Sequence, residues 1–506
     1  MRPRPRALIA AALTAVLISG CAVGTPESQS AEGEITVALG ASPVNLDYTS
    51  SSGAAIPQAL LYNVYESLFK LDANGELQPL LAEDYVISED RLTYTMYLRQ
   101  GVTFSDGTPM DARAVKYSLD RLDEWTTAPG GLLSVIESTA IVDDHTVNVH
   151  LSAPDNMLLD NLAGPGGTVF KPGTEGELAS TAIGTGPYTV ESYTPGTTLR
   201  MVANDDYWGG EPPAERLTLD YYADMTAQTN ALLSGGADVG LALQSPELLS
   251  QFEDDPAFVV HEGTTNGEMV MPINMRREPF DDLRVRQALR HAVDGDAVRE
   301  VAAEGYGAPL NSLVPPTDPW YDDRPDPYPY DPDRARELLA EAGAEDLVID
   351  FKVPSLPVYQ TTAQVVASQL RDVGLDVRTE TLEFPAVWLA QVFSGHDFDI
   401  TVINVVEPKD VVQFSNPDFV YGYQNPEADE ILNRARTGDP DDYVPLMREY
   451  ANLVSDDAAA HFLYLTPWLT VSRADIEGVM PNLAGESYDM TQMRRTTDQN
   501  TGQDGS

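Results

Sequence analysis

The apolar positions of this chain change period along its length. Ile35-Thr36-Val37-Ala38-Leu39 is a short, nearly continuous apolar run of the kind a buried strand carries, and a Gly/Ser/Pro/Asn-rich loop, Ala41 to Ser52, follows it. Apolar residues at helical spacing then predict a helix over Ile56 to Leu68. Tyr94, Met96 and Leu98 alternate with Thr93, Thr95 and Tyr97, while Ile141-Val142 and Val147-Asn148-Val149 flank the turn Asp143-Asp144-His145. Residues 56 to 182 therefore read as rich in hairpins.

Further on the period lengthens. Asp331-Pro332-Asp333 sets a capping carboxylate before a proline at the first helical position, and Gly343 closes the helix that these residues open. Val348 to Val353 is an apolar strand, Val358 to Val373 a helix ended by Gly374, and an alternating strand begins at Leu375, which together make a βαβ unit. Strands and helices alternate through most of the second half, so the fold class is α/β; no segment repeats at a fixed period.

Length and composition narrow the picture. A chain of 506 residues, 42% of them hydrophobic, buries a core easily and suggests more than one lobe. With 79 acidic against 31 basic side chains and a formal charge of -48, it offers no basic face to nucleic acid or to an anionic membrane. Cys21 is the single cysteine, which rules out an intramolecular disulfide and a cysteine metal cluster. Its position accounts for it. Arg2, Arg4 and Arg6 precede the apolar run Ala7 to Ile18, too short for a comfortable membrane span, so residues 1–20 read as an export signal. Leu17-Ile18-Ser19-Gly20-Cys21 resembles a lipobox, which implies a lipidated Cys21. Residues 21–33 then form a polar tether that holds the protein to the outer face of the cell membrane, the periplasmic side if the host has an outer membrane. Residues 499–506 read as a disordered tail.

Several further motifs occur in a fixed order. They are Leu61-Tyr62-Asn63-Val64-Tyr65-Glu66-Ser67-Leu68, Leu80-Leu81-Ala82-Glu83, and the distinctive Tyr94-Thr95-Met96-Tyr97-Leu98-Arg99-Gln100-Gly101-Val102-Thr103-Phe104-Ser105-Asp106-Gly107-Thr108-Pro109. Gly184-Thr185-Gly186-Pro187-Tyr188, Asn204-Asp205-Asp206-Tyr207-Trp208-Gly209 and Pro279-Phe280-Asp281-Asp282-Leu283-Arg284-Val285-Arg286-Gln287-Ala288-Leu289 come after them. Taken in order, the set resembles the family 5 extracellular solute-binding proteins of dipeptide, oligopeptide, nickel and some sugar importers. Each motif also has a plain packing reading: glycines at turns, Tyr207 and Trp208 in a core, Arg284 and Arg286 bracing a helix.

The resemblance implies a two-lobed, periplasmic-binding-protein-like hinged trap with an extra α+β subdomain on the first lobe. Residues 34–55, 183–267 and 466–498 would form lobe I, 56–182 the subdomain, and 268–465 lobe II. Solute would lie between the lobes, against strand ends and interlobe loops. The candidates are Asn45, Asp47 and Tyr48 after the opening strand, Phe384 and Trp388, Asn404, Val405 and Glu407 after the strand Phe398 to Ile403, Tyr421 and Tyr423, and Tyr464 at the exit crossing, with Trp468 near it. One departure stands out. Where peptide-binding members carry an aspartate for the ligand ammonium this chain has Pro408, and Val405 replaces a usual tryptophan, leaving Glu407 and Asp410 as the nearest carboxylates.

The function so implied is the substrate-binding component of an ABC importer, which captures a peptide or similarly sized solute and delivers it to a permease with its ATPase. The protein would act as a monomer, without cofactor, metal or nucleic acid. A sugar, opine or nickel chelate as ligand, and a sensory role without transport, remain alternatives. No HExxH, GxSxG, Walker A or Rossmann motif argues for an enzyme, which leaves a carboxylate-pair hydrolase as the remote catalytic reading. The six histidines, His145, His150, His261, His291, His396 and His461, are scattered without paired ligand spacing.

Overall fold

The computed structural model describes residues 33–51, 53–127, 131–406 and 408–496. The signal segment, Cys21, the tether up to residue 32, Glu407 and the tail from residue 497 lie outside the described residues.

An eight-stranded sheet forms the spine. Its spatial order is Ile403–Val405, Phe258–Pro272, Ala460–Arg473, Val239–Gly240, Glu34–Leu39, Arg216–Tyr221, Thr198–Ala203 and Tyr188–Thr194. Glu34–Leu39 is parallel to both its neighbours and buried from Ile35 to Leu39, which is why it reads as an unbroken apolar run rather than an alternating one. Two members of the sheet are unusually long. Phe258–Pro272, 15 residues, and Ala460–Arg473, 14 residues, pair antiparallel along most of their length.

Those two strands pass from one apolar core into another. One core gathers Ile35, Val37, Leu60, Tyr65, Leu199, Leu217 and Trp468, and a smaller cluster holding Leu232, Phe252, Leu469 and Val471 adjoins it. The second core begins at Met269 and ends at Tyr464. Within it a parallel sheet, Asp376–Leu382 with Val348–Pro354 and Ile400–Thr401, packs against helix Pro357–Asp372, and helices Pro426–Thr437 and Pro440–Asp456 pack on each other in the same core. The expected βαβ unit is there in parallel register, and the helix opened by Asp331 runs Pro332–Ala342. Asp331 caps Arg334 N, and Gly343 closes the helix with a left-handed φ of 68°.

A third core, from Leu68 to Val169, underlies the antiparallel sheet Ala82–Ile87, Thr93–Leu98, Thr146–Leu151 and Ile136–Asp143. The hairpin about Asp143-Asp144-His145 forms as its pattern predicts. The helix expected over Ile56 to Leu68 does not run that far. It spans Ala55–Leu60 and ends before Tyr62, whose φ of 65° is left-handed. Its apolar residues continue to Phe69 because this stretch is buried between two cores on every side, and burial on all sides imitates a helix face.

The expected strand Phe398 to Ile403 is also divided. Ile400–Thr401 belongs to the three-stranded sheet and Ile403–Val405 to the eight-stranded one, so the chain changes sheets within a few residues. That change places Asn404 and Val405 on the edge of the long strand that joins the two cores.

Candidate functional site

The crossing between the cores is built from small polar residues. The ladder of the two long strands slips between Thr264, opposite Pro467, and Glu268, opposite Leu465. In the slip, Thr265 Oγ1 donates to Thr466 O at 3.0 Å, Thr466 Oγ1 donates to Gly267 O at 2.9 Å, and Gly267 N donates to Thr265 Oγ1 at 2.8 Å. A side chain at Gly267 would lie 3.0 Å from Thr265 Oγ1 and 3.1 Å from Asn404 Oδ1 and would press on Thr466. Asn266 braces the bend from both ends of its amide, donating to Ala484 O at 2.7 Å and accepting from Thr317 Oγ1 at 3.0 Å.

Three sequence-predicted residues come together here. Met269 pairs with Asn404 on one side and Tyr464 on the other, and Glu268 pairs with Val405. Among the described residues no hydrogen-bond donor reaches the buried Asn404 Oδ1, an expensive omission unless something else supplies a donor. Glu268, fully buried, is a carboxylate at the same crossing that sequence reasoning did not single out.

The other candidates lie apart from that group. Asn45 and Asp47 bond within their own turn: Asn45 Oδ1 accepts from Asp47 N at 2.8 Å, and Asp47 Oδ1 accepts from Thr49 N at 2.9 Å. Tyr48 is buried in an aromatic knot with Tyr65, Trp125 and Phe170, its hydroxyl 2.7 Å from Thr168 Oγ1, and burial pushes its pKa far above the ordinary phenol value. Trp388 donates to Thr401 Oγ1 at 3.1 Å inside the second core, with Phe384 packed between it and Tyr359. Tyr421 stacks on Phe414 with ring centroids 4.1 Å apart. Tyr423 spends its hydroxyl on Asp457 Oδ2 at 2.6 Å. Trp468 donates to Met480 O at 3.1 Å. Arg276 and Arg277 are engaged as well, Arg276 with Phe419 O at 2.7 Å and Arg277 with Asp397 and Asp399.

A second meeting place was not foreseen. Residues of the antiparallel subdomain reach the second core directly. Asp155 pairs with Arg436 at 2.7 Å, Asp160 pairs with Lys409, and Asn156 and Arg91 bond to main-chain carbonyls at the end of helix Pro426–Thr437. Lys409 lies 5.6 Å from the centroid of Trp320, which meets Tyr443 edge-on. Burial pushes the neighbouring Asp318 carboxyl up to about 7, an effect the Lys409 charge opposes. Nothing in the sequence marks these residues, since Thr437 is followed by Gly438, an ordinary helix-closing residue. Away from both meeting places, a cavity of about 500 Å³ lined by Asn45, Ala182 and Tyr193 lies along the edge strand Tyr188–Thr194, at the far side of the sheet from the crossing.

Two apolar cores joined by two strands and in contact again through a subdomain define a two-lobed, hinged α/β protein. The chain belongs to the bacterial extracellular solute-binding proteins, family 5, whose middle region it matches over residues 76–425. It is 31% identical over 343 residues to the glutathione-binding protein GsiB of Escherichia coli O1:K1 / APEC, a match that takes in 66% of this chain and spans 65% of that relative's length. Among solved structures, the dipeptide binding protein from Pseudoalteromonas sp. SM9913, in complex with Met-Leu, superposes with a TM-score of 0.76 at 23% identity, covering 92% of this chain and all (100%) of the other. NikA from Brucella suis, in complex with Fe(III)-EDTA, gives a TM-score of 0.80 at 23% identity, covering 91% and 100%. At those identities the likeness establishes the fold. Among the described residues no helix is long and apolar enough to cross a membrane, and no group of His, Cys, Asp and Glu is placed to hold a metal ion.

Proposed function

We propose that this chain is the solute-capturing component of an ABC importer, enclosing a peptide or similarly sized solute between its lobes and presenting the closed form to a permease driven by an ATPase. The observation that carries the reading is the hinge: two long strands running through both cores and interrupted at the same level, by Thr265 to Gly267 in one and Thr466 in the other. A pair of strands bent at one level lets each core move as a body. Lobe I is then 34–55, 183–267 and 466–498, the subdomain 56–182, and lobe II 268–465. Binding without chemistry fits the family, and the ligands of its relatives, glutathione and a dipeptide, set the size class. The protein works as a monomer tethered outside the cell by lipid on Cys21.

Within the cleft we assign the solute-facing wall at the hinge to Asn404, Val405 and Tyr464. Asn404 Oδ1 supplies an acceptor that a solute N–H satisfies. Tyr423, Trp388 and Tyr48, whose polar atoms are already bonded inside their cores, support the wall rather than read the solute.

The test is a thermal-shift and calorimetric screen of the mature chain against glutathione, Met-Leu, a set of tripeptides, an oligosaccharide mixture and nickel-histidine. A ligand at about a hundred times its Kd adds about 2.7 kcal/mol to the native state, enough to raise the melting temperature by degrees. Asn404→Ala should weaken the hit at least several-fold. A chain that binds none of these classes is not a peptide-importer component, and unchanged affinity in Asn404→Ala removes that residue from the wall.

A further inference from the structure

Helix Pro426–Thr437 ends without closing on itself. Gly438 takes an extended conformation, with φ −78° and ψ −171°, instead of the left-handed turn that commonly folds a helix end back on its own carbonyls. The last carbonyls of a helix carry the negative end of its dipole and need donors from elsewhere. Here the donors come from the other lobe. Asn156 N donates to Arg436 O at 2.8 Å, and Asn156 Nδ2 donates to Ala435 O at 2.7 Å and Gly438 O at 3.1 Å. The Arg91 guanidinium donates to the carbonyls of Thr437 and Gly438, setting a positive charge where the dipole is negative. Arg436, in the last turn of the helix, reaches back to Asp155 Oδ2 at 2.7 Å, and Lys409 meets Asp160 beside it.

We propose that Arg91 and the segment Asp155–Asp160 form a clasp, an end cap supplied in trans, that holds the lobes shut. Its residues set solute affinity without touching solute, by fixing the fraction of protein in the closed state. The inference rests on the two-lobed trap proposed above, but not on the identity of its solute. The geometry favours a clasp over mere adjacency because two residues, Arg91 and Asn156, between them serve every carbonyl of the helix end. Four successive carbonyls, from Ala435 to Gly438, each receive a donor from the opposite lobe. When the lobes part, the same carbonyls face water and lose nothing but the pre-arranged partner, so the contact is reversible. Asp155 is held ready for its role by its own lobe, since its Oδ1 accepts from Met157 N at 3.0 Å while Oδ2 faces Arg436. Arg91, Asn156, Asp155, Asp160, Arg436 and Lys409 are therefore positioning residues for the closed state.

Small-angle X-ray scattering of the purified mature chain, with no solute added, tests the clasp directly. The wild type should populate a closed fraction in which the clasp contacts are made. Arg91→Ala combined with Asn156→Ala should shift the ensemble open and enlarge the radius of gyration at unchanged circular dichroism. Arg436→Ala should do the same in part, and Arg436→Lys should recover part of the closed fraction. If the double variant does not fold, Arg436→Ala against Arg436→Lys decides alone, because Asp155 keeps its bond to Met157 N in both. Superimposable scattering from wild type and every folded variant overturns the clasp. No solute enters the experiment, so a negative ligand screen and a failed clasp are separate outcomes.

Discussion

The subdomain built on the four-stranded antiparallel sheet has two borders, and they are made of different material. Against the first lobe it sets Glu66, 1% exposed, among three donors: Thr185 Oγ1 at 2.8 Å, Tyr207 OH at 2.9 Å and Trp208 Nε1 at 2.9 Å. Against the second lobe it sets ion pairs and donors to helix carbonyls, with the Arg436 side chain 43% exposed and that of Asp155 2% exposed. A polar group buried with all its partners is costly to separate, because each partner is left without water or bond. On the second border Arg436 already reaches water and Asp155 regains it when the lobes part, so that contact exchanges its partners for water. The first border is a fixed joint and the second a contact that opens, so one subdomain belongs to one lobe permanently and to the other only on closure.

The largest effect should come from breaking the joint. Glu66→Ala strands the Thr185, Tyr207 and Trp208 donors in a dry site and should cost about 3 kcal/mol or more of unfolding free energy, read as a fall in the urea midpoint. A loss below about 1 kcal/mol would mean that the joint is not where the stability of this border lies.

The same carboxylate gives a pH signature. Burial raises the Glu66 pKa from 4.5 to about 7, against the pull of its three donors and of Lys70. A carboxyl whose folded pKa is raised favours the native state most when protonated. Its contribution is fully present below pH 4.5 and is lost as pH climbs through 7, a swing of about 3 kcal/mol at about 1.36 kcal/mol per unit. Glu66→Gln cannot titrate. The stability of the wild type relative to Glu66→Gln should therefore fall between pH 5 and pH 8 in denaturant titrations, and a flat difference would show that Glu66 stays ionised throughout.

The clasp should behave in the opposite way. Arg436→Ala is expected to cost less global stability than Glu66→Ala, since the lobes fold around separate cores and the Asp155 carboxylate, 2% exposed in the closed form, regains water when they part. A loss as large as that of Glu66→Ala would make the outer border a joint too and erase the contrast.

This contrast also separates what the sequence discloses from what it hides. The βαβ unit of Val348–Pro354, Pro357–Asp372 and Asp376–Leu382, and the hairpin about Asp143-Asp144-His145, rest on neighbours close along the chain, so period and turn chemistry are enough to read them. Residues 61–69 mislead the same reading, because burial between two cores erases the polar face by which a helix is bounded. The grouping of Asn404 with Tyr464 follows from strand pairing and was legible once the crossings were placed. Whether Tyr423 faces solute or Asp457 is decided by a residue 34 positions away, and no pattern within its own segment records that. The clasp was least legible. Asp155 and Arg436 are 281 positions apart, and in a chain with 79 acidic residues no single aspartate advertises its partner.

The smallest effect divides the clasp itself. Salt shortens the range of charge interactions to about 3 Å at 1 M, but it screens buried pairs far less than exposed ones. Lys409 and Asp160 are 9% and 17% exposed in their side chains, whereas Arg436 is open to the solvent on one side. Raising sodium chloride from 50 mM to 1 M should therefore open the wild type slightly, read as a small rise in the radius of gyration. Arg436→Ala should lose most of that response, because it lacks the pair that salt reaches, while Lys409→Ala should keep it. Equal salt responses in the three proteins would mean that neither ion pair carries the salt dependence, and would assign the closing force to the hydrogen bonds of Asn156 with the helix carbonyls.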